Sequence, residues 1–405
     1  MPIRLFVPFL VVSSLLMLLA GCGASQDSPA DAAPTFTATT PTGTYDPATD
    51  SLRFPGEVHL RNIRQLTFGG NNAEAYWSFD DQQLIFQSDW GQINEQGCDQ
   101  IYVMNADGSP LDDGAQYRLV STGTGRTTCS YFIGGDASTP MGGRLIFAST
   151  HAADAACPAP VFASEGRYVW PLYDTYDIYT VNPDGSDLQL LIGGEGYDAE
   201  ATVSPDGRYV IFTSTRSGDI DLWRYDLETG DLLRLTDELG YDGGAFFSPD
   251  SRKIVWRASR PTGDDAEVYK QLLAQGLVEP NALDIYVADA DGANVQRVTN
   301  LPHANWAPFF HPNGEQIIFA SNHHSENEGR PIFDLFMINI DGTGLEQITH
   351  SGTFDAFPMF SFDGTKLVFA SNRNASRTPT RDTNVFVADW IDEPEPVDEA
   401  FRGSE

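Results

Sequence analysis

Lysine is nearly absent. It occurs only at Lys253, Lys270 and Lys366 in a chain of 405 residues. Lysine and arginine together number 24 against 57 aspartates and glutamates, a net charge of −33. A surface of that sign repels nucleic acid and anionic lipid, so neither is an expected partner. It suits cations, basic partners or a salty medium. Cysteine is also scarce, at Cys22, Cys98, Cys129 and Cys157. No Gly-x-Ser-x-Gly elbow of a serine hydrolase is present. Long apolar runs are missing beyond the first residues. What remains is a chain of short alternating segments separated by tight polar turns.

The N-terminus has a basic start at Met1–Arg4 and an apolar run to Leu19, and it ends in "LAGC", residues 19–22. The run is shorter than the ~20 residues a membrane span needs. Basic start, apolar middle and small residues before Cys22 read as a bacterial lipoprotein signal over residues 1–21. Acyl chains on Cys22 would anchor the protein to a membrane without a spanning helix. Gly23 stands where Asp would direct inner-membrane retention in familiar lipoprotein sorting, and that similarity implies the outer membrane, facing the periplasm or the cell surface. Residues 22–56 are rich in Ala, Ser, Thr, Pro and Asp without apolar periodicity, which predicts a disordered tether. Residues 57–392 carry the fold, and 393–405 form an acidic tail.

One pattern recurs six times. The cores are "WSFDDQQLIF", "YFIGGDASTPMGGRLIF", "VSPDGRYVIF", "FSPDSRKIVW", "FHPNGEQIIF" and "FSFDGTKLVF", which close on Phe86, Phe147, Phe212, Trp256, Phe319 and Phe369. Pro fixes φ, Asp bonds locally and Gly permits positive φ, so each core is two strands, a and b, joined by a hairpin. A third strand, c, follows ("DIYTVNPDG", "DLFMINIDG"), and then a fourth, d ("LQLLIGG", "LEQITH"). Only five d strands follow in sequence. The sixth is "RQLTF", residues 64–68, ahead of the first unit. It can complete the last sheet and remove the open edges. A repeat of roughly 40–50 residues with four strands is a propeller period. The expected fold is all-β, a six-bladed β-propeller of four-stranded blades closed by an N-terminal strand.

The "SPDG…I.F.S…D.Y..N.DG…..LT" unit resembles the repeat of the TolB-type propeller, the periplasmic component of the Tol–Pal system, over roughly residues 60–390. The resemblance implies a WD40-like (PD40) propeller that binds a protein or peptide of the cell envelope. The same repeat occurs in prolyl-oligopeptidase-type peptidases and oligogalacturonate lyases. TolB carries an α/β domain before its propeller, whereas residues 23–56 here are too few and too polar for one. The peptidases place a hydrolase domain after theirs, and only about fifteen residues follow the last strand here. A monomeric binding scaffold, not an enzyme, is the expectation. The alternative is a metal-dependent hydrolase or lyase at the central channel, gluconolactonase-like or oligogalacturonate-lyase-like.

Up-and-down strands place the a–b and c–d turns on one face and the b–c and d–a loops on the other. All long insertions are b–c loops, so that face is the expected binding face. The insertion "GDDAEVYKQLLAQGLVEP" reads as a short helix capped by Asp264. Three cysteines map to the same face, and Cys129–Cys157 is the preferred disulfide because it would pin the long second insertion to its own blade. The d–a loops surround the channel mouth. Equivalent positions there are Asn72, Asp198, Asp242, Asn305 and Asp355, with Thr127 in the second unit, and two residues on stand Glu74 and Glu200. Such a ring offers oxygens to a hard cation such as Ca²⁺, or to a basic peptide. The bland reading is that these residues cap loop backbone groups. The turn aspartates Asp206, Asp250 and Asp363, and Ser88, Ser149, Ser214, Ser321 and Ser371 after the b strands, are expected to be structural. The histidines His303, His311, His323 and His324 cluster in one unit and none recurs at the inner position, which disfavours the lyase arrangement.

Overall fold

A computed structural model describes residues 50–135, 141–159, 161, 167–325, 332–373 and 382–394. Cys22, the signal segment and nearly all of the acidic tail lie outside the described residues. Six four-stranded antiparallel sheets are present, each running from an inner strand outward. The inner strands are Asn72–Trp77, Thr127–Phe132, Asp198–Val203, Asp242–Phe247, Asn305–Phe310 and Asp355–Phe360. The last sheet is completed by Leu60–Gln65 from the start of the fold, with Leu60 opposite Trp390 and Gln65 opposite Phe386. The fold is therefore the six-bladed propeller with the expected closure, and its closing strand begins four residues ahead of "RQLTF".

The repeat sequence explains the blades. Its closing aromatics, Phe86, Phe147, Phe212, Trp256, Phe319 and Phe369, are all fully buried. Burying a side chain of this size contributes about 1.5–3 kcal/mol. The a–b turns are tied by their own polar residues. Ser248 Oγ donates to Asp250 at 2.6 Å, and Ser361 Oγ donates to Asp363 at 2.7 Å. The same hydroxyls accept from the amides of Lys253 and Lys366 at 2.9 Å. Each Ser after a b strand is buried and caps the following turn. Arg373 N donates to Ser371 Oγ at 2.9 Å and Arg216 N to Ser214 Oγ at 3.2 Å.

Chain packing starts before residue 57, inside the expected tether. Leu52 packs against the core, and Arg53 Nε donates to the Glu57 carbonyl at 2.8 Å. Glu57 itself is fully buried and pairs with Arg373 at 3.2 Å, and Arg373 also reaches Asp355 at 3.3 Å. This buried carboxylate–guanidinium–carboxylate triad joins the entry segment to blade six.

The insertions also differ from expectation. The helix spans Gly263–Leu273 and its N-cap is Thr262, without a side-chain cap bond. Asp264 lies in the first turn beside Asp265, where negative charge favours the helix dipole. The second-blade insertion does not stay on its own blade. Its Trp170–Pro171 pairs antiparallel with Leu277–Val278 of the fourth-blade insertion. Arg167 and Glu279 pair at 2.9 Å alongside. Val169, Leu272 and Leu277 form a small core beneath this ribbon.

The disulfide is Cys98–Cys157, with Cα atoms 5.9 Å apart, and Cys129 is a free thiol. This corrects the Cys129–Cys157 expectation. The insertion reaches back to the first blade, while Cys129 sits on an inner strand at the cavity wall, away from the rim.

Candidate functional site at the channel mouth

The first residue of every inner strand is one of the aligned positions, and all six are buried. They do not form an open ring of ligands. Both Asp198 oxygens accept from Arg216 at 2.8 Å. Asp242 accepts from Arg260 and from Trp256 Nε1, each at 2.7 Å. Asp355 is held by Arg373 and accepts from Ser351 Oγ at 2.7 Å. Asn305 donates to the Leu283 carbonyl at 2.9 Å and accepts from Ser321 Oγ at 2.6 Å. Asn72 donates to the Gly69 carbonyl at 2.7 Å, and Thr127 donates to the Asp99 carbonyl at 2.9 Å. Most bonds run to backbone or arginine at the strand's own entry. The side chains thus tie loops down, and the expectation of a free oxygen ring for Ca²⁺ does not fit them.

Two residues further on, every inner strand slips register against its neighbour. The residue at each slip has positive φ: Glu74 (51°), Cys129 (48°), Glu200 (55°), Gly244 (59°), Ala307 (49°) and Phe357 (53°). Only glycine adopts this region freely, and others are penalised by about 1–2 kcal/mol each. Such bulges re-aim side chains. Here they line a cavity of about 1310 Å³ at the mouth, with Glu74, Cys129, Glu200 and Phe357 in its wall. Pockets for small ligands usually hold ~300–1,000 Å³, so this one has room for a short peptide segment.

The next layer closes the axis. Tyr76 of the first blade meets Phe246 of the fourth, with ring centroids 5.4 Å apart. Tyr131 and Phe309 pack on Phe246 at 6.0 and 5.2 Å. The cavity is accordingly blind at this level and opens on the face that carries the insertions.

Its walls are of two kinds. Blades one to three present Glu74, Cys129 and Glu200. Blades five and six present Trp306, Phe354 and Phe357, joined by Phe333. Trp306 meets Phe357 edge-on at 4.8 Å and Phe333 at 5.7 Å. Trp170, on the crossing ribbon, stands 5.9 Å from Trp306.

Glu200 is engaged. It pairs with Arg257, and it accepts from Tyr241 Oη at 3.0 Å and from Gly244 N at 3.0 Å. The glycine pair Gly243–Gly244 makes room for this. A Cβ at Gly244 would lie 1.8 Å from an Arg257 nitrogen, and one at Gly243 would lie 2.4 Å from a Glu200 oxygen. Glu74 has no such partner: among the described residues no ion pair involves it. Burial, followed by the neighbouring Glu200 charge, pushes its carboxyl up to about 7 against a hydrogen bond from Cys129. Burial and both glutamates in turn push the Cys129 thiol up, which makes it a poor nucleophile.

Of the seven candidates, Glu74 and Glu200 share the cavity, whereas Asn72, Asp198, Asp242, Asn305 and Asp355 are loop locks. Sequence reasoning missed Cys129, Arg257, Trp170 and the Trp306–Phe357 arc as cavity residues. Applying the offset that finds Glu74 and Glu200 to all six units would have found Cys129 and Phe357. Nothing in the sequence marks Trp170, because its place depends on a ribbon between two insertions. His323 and His324 lie 5.6 Å apart, ring to ring, but are engaged separately, His323 with Ser321 Oγ at 2.8 Å. His311 bonds Asp392 at 3.0 Å, His324 bonds Asp334 at 2.9 Å and His151 bonds Ser149 at 2.9 Å. Among the described residues no group of three or more His, Cys, Asp or Glu is placed to hold a metal ion.

Six four-stranded blades around a loop-rimmed cavity make the fold a six-bladed β-propeller. It is similar to the TolB-type propellers: a family model described as the TolB beta propeller domain matches residues 270–378. An uncharacterised protein of Agrobacterium fabrum is 30% identical over 142 residues, 33% of this chain and 44% of that protein, so the match spans less than half of that relative's length. Among solved structures, one described as putative TolB from Agrobacterium tumefaciens matches with a TM-score of 0.50 at 17% identity, over 81% of this chain and 97% of that one. TolB from Acinetobacter baumannii matches with a TM-score of 0.46 at 15% identity, over 80% and 65% of the two chains. The first of these likenesses supports the fold. No helix among the described residues is long and apolar enough to cross a membrane.

Proposed function

We propose that this protein is a lipid-anchored lipoprotein of the bacterial outer membrane, monomeric, whose propeller binds a protein or peptide of the cell envelope in the channel-mouth cavity. The observation that carries this reading is the cavity itself. Its size, its aromatic arc and its position under the elaborated loops suit an extended segment that enters from that face. Tethering at Cys22 by acyl chains accounts for the apolar leader and its small residues before the cysteine.

The test is site-specific photocross-linking in the native envelope. A benzoylphenylalanine replaces Tyr168, an exposed residue of the cavity rim, or Asp291 on the opposite, tight-turn face. A protein captured from Tyr168 and not from Asp291 supports the reading. Equal capture from both faces, or none from Tyr168, removes it. Cys22→Ser is expected to move the protein from the membrane to the soluble fraction, and retention on the membrane would overturn the anchor.

A further inference from the structure

The two walls of the cavity call for different chemistry. Glu74 is a carboxyl walled in by protein, and it keeps part of its surface open to the cavity. Every cation near it is already engaged: Arg257 pairs with Glu200, and Arg126 with Asp99 at 2.7 Å. The aromatic arc lines the same cavity from the neighbouring blade six and from blade five. A strand bulge with a positive φ of 51° places the Glu74 side chain in the cavity wall.

We propose that the cavity is a receptor for a cationic head group, ammonium or guanidinium, carried on an apolar stem, with the Glu74 carboxylate taking the cation and Trp306, Phe333, Phe354 and Phe357 taking the stem. The aromatic faces reinforce the choice, because ring quadrupoles attract cations. A neutral ligand would leave the Glu74 charge buried and unpaired. An anionic one would face the Glu74 carboxylate, while Arg257 in the same wall is already paired with Glu200. The same chemistry is offered by a lysine or arginine side chain of a partner peptide and by a free amine. This inference rests on the cavity being the binding site, as argued above.

The experiment uses the whole chain at pH 8 and three probes with one phenyl stem and different heads: phenethylammonium, phenylethanol and phenylpropanoate. Binding is read by calorimetry and by fluorescence of the cavity tryptophans. A second arm compares acetyl-Phe-Lys-amide with acetyl-Phe-Gln-amide. The cationic probe is expected to bind at least tenfold more tightly than the neutral one. Glu74→Gln should abolish that ratio while leaving neutral binding in place, and Phe357→Ala should weaken both. A ratio near one, or one that survives Glu74→Gln, overturns the proposal. If neutral and cationic probes bind alike, the cavity remains a binding site and only the charge preference falls. If no probe in either arm binds, both readings fall together. Tighter binding of the lysyl peptide than of phenethylammonium assigns the cation to a polypeptide partner, and the reverse assigns it to a small amine.

Discussion

Glu74→Gln is expected to make the protein more stable at pH 8 and to leave it almost unchanged at pH 4. The carboxyl of Glu74 stands at about 7 in the fold against an ordinary value near 4.5. Between those two values the folded state binds more protons than the unfolded one, so stability falls as pH rises through the interval. Each pH unit is worth about 1.4 kcal/mol, and the whole interval therefore removes ~3 kcal/mol by pH 8. The groups that face Glu74 are Cys129, Glu200, Arg257 and Asp99. Burial is the largest cause of the shift, and the Glu200 charge adds to it, while Cys129 and Arg257 oppose it. Glutamine keeps the shape and can still accept from the Cys129 thiol, but it carries no charge to desolvate. Urea unfolding of both proteins at intervals from pH 4 to pH 9 measures the difference. Asp242 and Asp334, also raised to about 7, contribute to both curves and cancel in the difference. Curves that stay parallel across the whole range would refute the reasoning, as would a Gln variant that is less stable at pH 8.

Arg373→Met should destabilise the fold by about 3–5 kcal/mol in urea titrations, because it leaves Glu57 and Asp355 buried without their cation; a loss below about 1 kcal/mol would mean that the entry segment is not held as described. Gly244→Ala should break the Glu200–Arg257 pair, since the added Cβ falls 1.8 Å from the guanidinium at a backbone φ of +59°; a Tm equal to wild type would contradict that packing. Non-reducing peptide mapping should find Cys98 linked to Cys157 across 59 residues, and reduction should lower stability by roughly 4 kcal/mol through the released loop. Cys129 should alkylate slowly with iodoacetamide at pH 8 in the folded protein, because burial and the two glutamates raise its thiol; a rate like that of free cysteine would refute this placement.

The inner-strand offset shows how far repetition alone can be read. Asp198, Asp242 and Asp355 recur because each blade must close the same turn, and their arginine partners Arg216, Arg260 and Arg373 recur eighteen residues later for the same reason. A reader of the sequence sees the repeated aspartates and is tempted to join them into one ring. The structure assigns them to separate blades and leaves the cavity to the residues that do not repeat.

The sequence by itself determined the propeller. Period, turn chemistry and alternation are local properties, and a surplus N-terminal strand beside a deficit of one d strand leaves one way to close the ring. It also identified Glu74 and Glu200, which stand at a fixed offset from the repeated positions. Only the tertiary structure decided which cysteine pairs with Cys157, that two insertions cross the mouth as a ribbon, and that Glu74 shares its cavity with an aromatic arc and has no ion-pair partner among the described residues. Those facts depend on contacts between blades and between loops far apart in the chain. The direction of a side chain at a left-handed bulge, and the burial that shifts its carboxyl, have no local signature.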